Sequence, residues 1–171
     1  MSKARPDPIA VAVDNWRQAG WGSAAAGMAL VTSVMRVQQL LVTQIDERLR
    51  PYGLSFARFE ILRLLAFSRH AALPMGTVGR RLQVHPASVT SAVDRLERDE
   101  LVLRTRSVND GRRVMVALTP VGRSLVERAT VDLNSYFESI GMSDEQIEGV
   151  VEALRDLRHS AGDIDAGESV L

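Results

Sequence analysis

The sequence predicts a mainly α-helical chain that carries one small β-hairpin. Apolar residues recur at helical spacing through most of the 171 residues, a pattern typical of amphipathic helices. This spacing gives way to two short apolar runs, at 101–103 and 114–118, which indicate strands. Between them lies a polar segment that contains Asn109, Asp110 and Gly111, and this turn chemistry predicts that the two strands pair as a hairpin.

The N-terminal part should form a short helix at 8–19 and a long helix at about 24–49. Gly20 and Gly22 interrupt the helical pattern between them. The segment Arg50-Pro51-Tyr52-Gly53 ends the long helix, because proline cannot continue the hydrogen-bond ladder and glycine permits a turn.

Three further helices are expected at about 56–68, 75–82 and 86–99. Ser55 is a candidate N-cap for the first of them. Pro86 occupies the first position of the third, where its missing N–H costs nothing. In that third helix the apolar side chains fall on one face: Val89, Ala92, Val93 and Leu96. The outward face is then left to Ala87, Ser88, Thr90, Ser91 and Arg95.

Two helices should close the chain. Thr119 and Pro120 start one that runs to about Ile140, and Ser143 with Gln146 forms a capping box for a last helix at about 144–159. The helices at 24–49 and 144–159 are too apolar to face water. A two-fold homodimer is the commonest way to cover such surfaces, so we expect one.

The order helix, short helix, helix and hairpin, within about 55–118, is that of a winged helix-turn-helix. A helix of about four turns fits the major groove of double-stranded DNA, and a basic hairpin reaches the neighbouring minor groove. We therefore expect a winged helix-turn-helix DNA-binding domain at 53–118. Dimerisation helices at 23–52 and 119–160 should flank it, with an N-terminal extension at 1–22 that holds a short helix and a flexible tail at 161–171.

The charge distribution is uneven although the formal net charge is zero. Residues 1–126 carry 18 basic and 10 acidic side chains, whereas residues 127–171 carry 3 basic and 11 acidic ones. This split fits a DNA-facing body with an acidic end. An ordinary solvated charge distribution is an alternative of equal weight.

Several function classes are disfavoured by composition. The chain has no cysteine, which excludes disulfides, a thiol switch and a Cys-ligated zinc site. His70, His85 and His159 are far apart and lack metal-ligand spacing, so we assign no metal and no cofactor. The sequence holds no Gly-rich phosphate loop, GxSxG or HExxH motif, so we assign no catalytic residues and expect no enzyme.

Localisation follows from what the sequence lacks. No run approaches the roughly 18 apolar residues of a membrane span, and residues 1–8 have no apolar signal core. We expect a cytoplasmic protein without a membrane partner.

Two blocks of sequence resemble one known family. Residues 82–97, LQVHPASVTSAVDRLE, resemble the recognition-helix block of the MarR family of transcription regulators, and 109–122, NDGRRVMVALTPVG, resemble its wing. With the flanking helices the resemblance covers about 24–160. It implies a triangular, all-helical homodimer joined through its N- and C-terminal helices, with one wing per subunit, that acts as a ligand-responsive repressor. Two symmetric recognition helices would enter successive major grooves about 10 base pairs apart, so we expect an inverted-repeat operator.

The outward face of the 86–99 helix is the predicted DNA-reading surface. Short hydroxyl side chains allow close approach to bases or phosphates, and Arg95 can reach a phosphate or a guanine edge. An ordinary solvated helix face is the alternative. Asp94 should pair with a nearby arginine, since a carboxylate facing DNA would be repelled. His85 stands where many relatives have a capping serine, so it either serves as a poorer cap or contacts a phosphate.

The hairpin segment contains four arginines that are candidate DNA-binding residues: Arg104, Arg106, Arg112 and Arg113. The resemblance places Arg112 in the minor groove, with Asp110 two positions earlier holding the loop or that arginine. The family often has a larger residue at the position of Gly111, so the tip should be more flexible here. A solvated hairpin is the alternative, and a winged domain used only for protein interactions is disfavoured by these arginines.

The resemblance also implies a small aromatic or lipophilic effector, bound between the dimer helices and the DNA-binding domain. The candidate lining residues are Trp16, Met28, Met35, Tyr52, Phe56 and Phe59. A Met and aromatic stripe at helical spacing is more often plain core, and this alternative is the stronger one.

Overall fold

A computed structural model describes residues 6–106 and 113–165 of the chain. This part contains seven α-helices and one small antiparallel sheet, which confirms the predicted fold class. The helices are α1 (Pro8–Gln18), α2 (Ala25–Leu49), α3 (Phe56–Phe67), α4 (Met75–Leu82), α5 (Pro86–Arg98), α6 (Pro120–Glu138) and α7 (Asp144–Ser160). The strands are β1 (Ala72–Pro74), β2 (Val102–Arg106) and β3 (Val114–Leu118).

The sheet has one strand more than the sequence predicts. Its order is β1-β3-β2, with Leu73 opposite Val116 and Arg104 on the other side of the same residue. A three-residue strand that ends in proline has no alternation to detect, which is why β1 was missed. β2 also extends beyond the predicted 101–103, so Arg104 and Arg106 lie on a strand rather than in the loop.

The core of the winged domain forms between α3, α4, α5 and the sheet. Its fully buried side chains come from all of these elements: Ile61, Leu62, Leu65, Val78, Val89, Val93, Leu96, Val102 and Val116. Phe59 is also buried, whereas Ala92 is only partly covered. The apolar face predicted for α5 is therefore the face that packs inward.

The start of α3 is capped differently from the prediction. Ser55 occupies the N-cap position but its side chain makes no capping hydrogen bond. The Phe56 N–H donates instead to Oδ1 of Asp46 on α2, at 2.7 Å. An acceptor from another helix, nine residues before the cap, cannot be identified from local sequence.

The chain divides into two compact units, Met1–Thr130 and Val131–Leu171. In the second unit the predicted capping box is present. The Gln146 N–H donates to Ser143 Oγ at 3.3 Å, and the Ser143 N–H donates to Gln146 Oε1 at 3.0 Å. Leu133 and Tyr136 are buried in this unit.

The long helix is more apolar than expected. The segment Gly22–Tyr52 is long and apolar enough to cross a membrane by length and composition, so the prediction that no segment reaches this threshold was wrong. One such helix is weak evidence for a membrane, because helices of water-soluble proteins pass the same test. Most of its side chains are uncovered in the isolated protomer, including Val31 and Met35, which are 59% and 60% exposed.

Candidate nucleic-acid interface

The solvent-facing side of α5 carries the five side chains that the sequence assigned to it. Ala87, Ser88, Thr90, Ser91 and Arg95 are all exposed. On the opposite side Val89, Val93 and Leu96 are fully buried, which fixes the rotation of the helix about its own axis. The outward face is small, polar and cationic, and it can approach an anionic partner closely.

The turn before α5 is formed by residues with defined local roles. Gln83 adopts a left-handed conformation, with φ at 53°, which ends α4 and redirects the chain. The Val84 N–H then donates to the Gly79 carbonyl at 3.2 Å. His85 acts as a cap, since its Nδ1 accepts a hydrogen bond from the Ala87 N–H at 3.2 Å.

The hydroxyl groups on α5 differ in what they offer a partner. Thr90 Oγ1 donates to the Pro86 carbonyl at 3.0 Å, so its proton is used within the helix and its oxygen can only accept. Ser88 and Ser91 have no side-chain partner within the described part of the chain. Both serines can therefore donate as well as accept.

Arg104 on β2 is turned toward α5 rather than outward. Its Nη1 lies 2.5 Å from Oδ1 of Asp94 and 3.1 Å from Oε2 of Glu97. Its Nη2 donates to the Thr90 carbonyl at 3.4 Å. The expected pairing of Asp94 with an arginine is confirmed, and Arg104 is the partner.

The other predicted hairpin residues are only partly described. Arg106 is the last residue of β2 and Arg113 directly precedes β3, and both residues are exposed. Asp110 and Arg112 lie outside the described residues.

Two cavities border this surface. One, of about 650 Å³, lies between α4 and the hairpin and contains three arginines, Arg80, Arg104 and Arg113. The other, of about 470 Å³, lies between the start of α3 and α5 and holds Arg58 and Arg95. Neither Arg80 nor Arg58 was predicted as a site residue. Arg80 could have been found from the sequence, because it lies near the end of the helix before the turn. Arg58 lies on α3, and only the packing of α3 against α5 places it beside the recognition surface.

The six candidate effector residues are not brought together around either cavity. A third cavity, of about 370 Å³ between α4 and α5, does not include them either. Phe59 is core at 6% exposure, whereas Met35 is largely uncovered. Tyr52 donates its hydroxyl to the Arg128 carbonyl at 3.4 Å, and Trp16 packs edge-to-face on Trp21 with ring centres 5.6 Å apart.

Metal binding has no geometric support in the described segments. Within 6–106 and 113–165, no three His, Asp or Glu side chains converge as a metal site would require.

An exposed recognition helix, the turn before it, and an arginine-bearing hairpin packed beside it define a winged helix-turn-helix protein. A model of the MarR family matches residues 54–114. The chain is 44% identical to Sco5413 of Streptomyces coelicolor, a MarR family transcriptional regulator. The match covers 82% of this chain and 98% of that one, with a TM-score of 0.74. The chain belongs to the MarR family and is a transcription regulator.

Curated relatives of known role are more distant. The HTH-type transcriptional repressor YetL of Bacillus subtilis is 28% identical over 138 residues, which cover 78% of this chain and 81% of YetL. The homoprotocatechuate degradative operon repressor of Escherichia coli is 25% identical over 112 residues, covering 66% and 74% of the two chains.

Proposed function

We propose that the protein is a homodimeric repressor that binds an inverted-repeat operator in double-stranded DNA. The observation that carries this proposal is the outward face of α5, where two free serine hydroxyls and Arg95 are exposed beside two arginine-lined cavities. Hydroxyls and arginine are the donors that read base edges and hold phosphates. Both curated relatives named above are repressors.

The dimer would form through the terminal helices. In α2, exposed apolar side chains include Leu30, Val31, Met35 and Val37. In α7, Val150, Leu154 and Leu157 are exposed at spacings that place them on one face. Surfaces of this kind mark interfaces in water-soluble proteins. We assign 23–52 and 119–160 to dimerisation, 53–118 to DNA binding, 1–22 to an extension and 161–171 to a tail.

The DNA contacts would divide between reading and anchoring. We assign Ser88, Ser91 and Thr90 to base edges, because their short side chains let α5 enter the major groove. Arg95, Arg106, Arg113 and Arg112 would anchor the sugar-phosphate backbone, with Arg112 in the minor groove and Asp110 supporting it. Ala87 allows close approach, and His85 sets the start of the helix.

A small aromatic or lipophilic effector would act by changing the separation of the two recognition helices. In such a dimer α2, α3 and α6 would join the dimer end to the DNA-reading end, so a ligand bound among them would favour one separation. The effector can change the free energy of operator binding only by the difference between its affinities for the two helix separations, typically about 1–3 kcal/mol. We assign the protein no enzymatic role and place it in the cytoplasm, where its DNA lies.

The experiment is to sequence the genomic fragments that the purified full-length protein retains at physiological salt. The proposal predicts enrichment of a shared inverted repeat with half-sites about 10 base pairs apart. Retention of fragments without a common motif would contradict it.

A further inference from the structure

Arg104 is held at three points by the recognition helix. Its guanidinium contacts the carboxylates of Asp94 and Glu97 and the Thr90 carbonyl. Glu97 also accepts the backbone N–H of Arg104 at its other oxygen, at 3.1 Å. One carboxylate thus binds both the main chain of β2 and the side chain that leaves it, which fixes the strand to the last turns of α5.

The charge balance at this cluster does not suit a phosphate contact. Asp94, Glu97 and Arg104 together carry two negative charges and one positive charge. The Arg104 side chain is only 24% exposed, and its buried Nε has no hydrogen-bond partner among the described residues. An arginine that is already paired with two carboxylates has little capacity left to attract the DNA backbone.

We propose that Arg104 is a positioning residue, which sets the hairpin at a fixed angle to the recognition helix, and that it does not contact DNA. This inference rests on the proposed DNA-binding function and revises the role that the sequence suggested for Arg104. A single duplex must meet α5 in the major groove and the hairpin in the minor groove together. A fixed angle between α5 and the hairpin therefore increases operator affinity, because no free energy is spent on ordering the two elements when DNA binds.

A positioning role for Arg104 and simple electrostatics predict opposite changes in operator affinity when a neighbouring acid is neutralised. Asp94→Asn and Glu97→Gln each remove a negative charge near DNA, and each would also weaken one of the contacts that hold Arg104. If Arg104 contacted phosphate, both variants would bind operator as well as wild type or better. If Arg104 is a positioning residue, both weaken binding by about tenfold, the range expected for a coupled side-chain network.

The experiment measures operator affinity against salt concentration for full-length Asp94→Asn, Glu97→Gln, Arg104→Met and the Glu97→Gln/Arg104→Met double variant. Glu100→Gln is the matched control, because it removes a nearby exposed acid that makes no contact with Arg104 among the described residues. Thermal unfolding of each variant tests whether the fold is retained, and Asp94→Asn, which leaves the Glu97 contacts in place, is the mildest change.

We expect Asp94→Asn and Glu97→Gln to bind operator more weakly than wild type. Arg104→Met should leave the slope of affinity against salt concentration unchanged. The double variant should lose no more operator affinity than Glu97→Gln alone. The control should bind operator as well as wild type or slightly more tightly. A loss of about one unit of salt slope in Arg104→Met, with normal or tighter binding by Asp94→Asn and Glu97→Gln, would overturn the inference. Absence of operator binding by the wild-type protein would instead refute the proposed function itself.

Discussion

Gly122, in the first turn of α6, packs directly against the carbonyl group of Leu101, where the chain enters β2. A Cβ built on Gly122 would overlap the Leu101 carbonyl oxygen and lie 3.0 Å from Cδ1 of Leu118. Thr119 completes this junction, since its Oγ1 accepts the Gly122 N–H at 2.9 Å and donates to the Glu100 carbonyl at 2.9 Å. The close approach of Gly122 and the hydrogen bonds of Thr119 therefore hold the start of α6 against the first residues of β2.

Gly122→Ala should destabilise the protein by about 1–3 kcal/mol or more, because the added methyl group meets rigid backbone rather than a mobile side chain. Thermal or urea unfolding measures the change. Gly149→Ala is the control: Gly149 lies in α7 with open space around its Cα, and alanine favours helix there. Equal stability of Gly122→Ala and wild type would disprove the close approach.

Glu60 on α3 gives a pH-dependent prediction. Burial raises the pKa of its carboxyl above the usual value. The folded state then binds the proton more tightly than the unfolded chain, so stability falls as pH rises from the ordinary glutamate range through the folded pKa. Glu60→Gln should therefore gain stability relative to wild type at pH 7 and lose that advantage near pH 4. Unfolding curves across this range would refute the account if the difference did not vary with pH.

Arg112, which lies in the sequence between β2 and β3, should contribute affinity rather than sequence choice. We expect Arg112→Ala to weaken binding to many sequences alike and to reduce the log–log salt slope by about one unit, as for a lost phosphate contact. Titrations of operator and unrelated DNA at several salt concentrations measure both effects. An unchanged affinity and slope would show that the hairpin tip does not contact DNA.

Ser91 should affect sequence choice instead. Its hydroxyl is exposed on α5 and has no partner in the described part of the chain, so it can bond a base edge. Ser91→Ala should change the preferred bases at one position in each half-site, which selection from a randomised operator pool would detect. The same preferences in variant and wild type would place Ser91 away from the bases.

Local chemistry predicted the elements well. Pro86 at the first position of α5, the Ser143–Gln146 capping box and the apolar face of α5 are all in place, because each depends on residues within about one or two turns of each other. The predicted pairing of Asp94 with an arginine is also present. That prediction rests on the repulsion that an unpaired carboxylate facing DNA would experience.

Side-chain contacts between different helices and strands could not be predicted from the sequence. Asp46 caps α3 from another helix, and only the hairpin fold brings Arg104 onto Glu97. The sequence groups Arg104 with Arg106, Arg112 and Arg113 as candidate DNA-binding residues, because an arginine paired within the protein and an exposed one look alike in sequence. Helical spacing likewise grouped Met35 with Phe59, although one is uncovered and the other is core.

Light scattering of the protein alone and bound to its operator duplex tests directly whether a two-fold dimer binds an inverted repeat. We expect a dimer mass at micromolar concentration, two protomers on one full operator, and much weaker binding to a duplex with a single half-site. A monomer mass in solution, together with equal affinity for the half-site and the full operator, would contradict it.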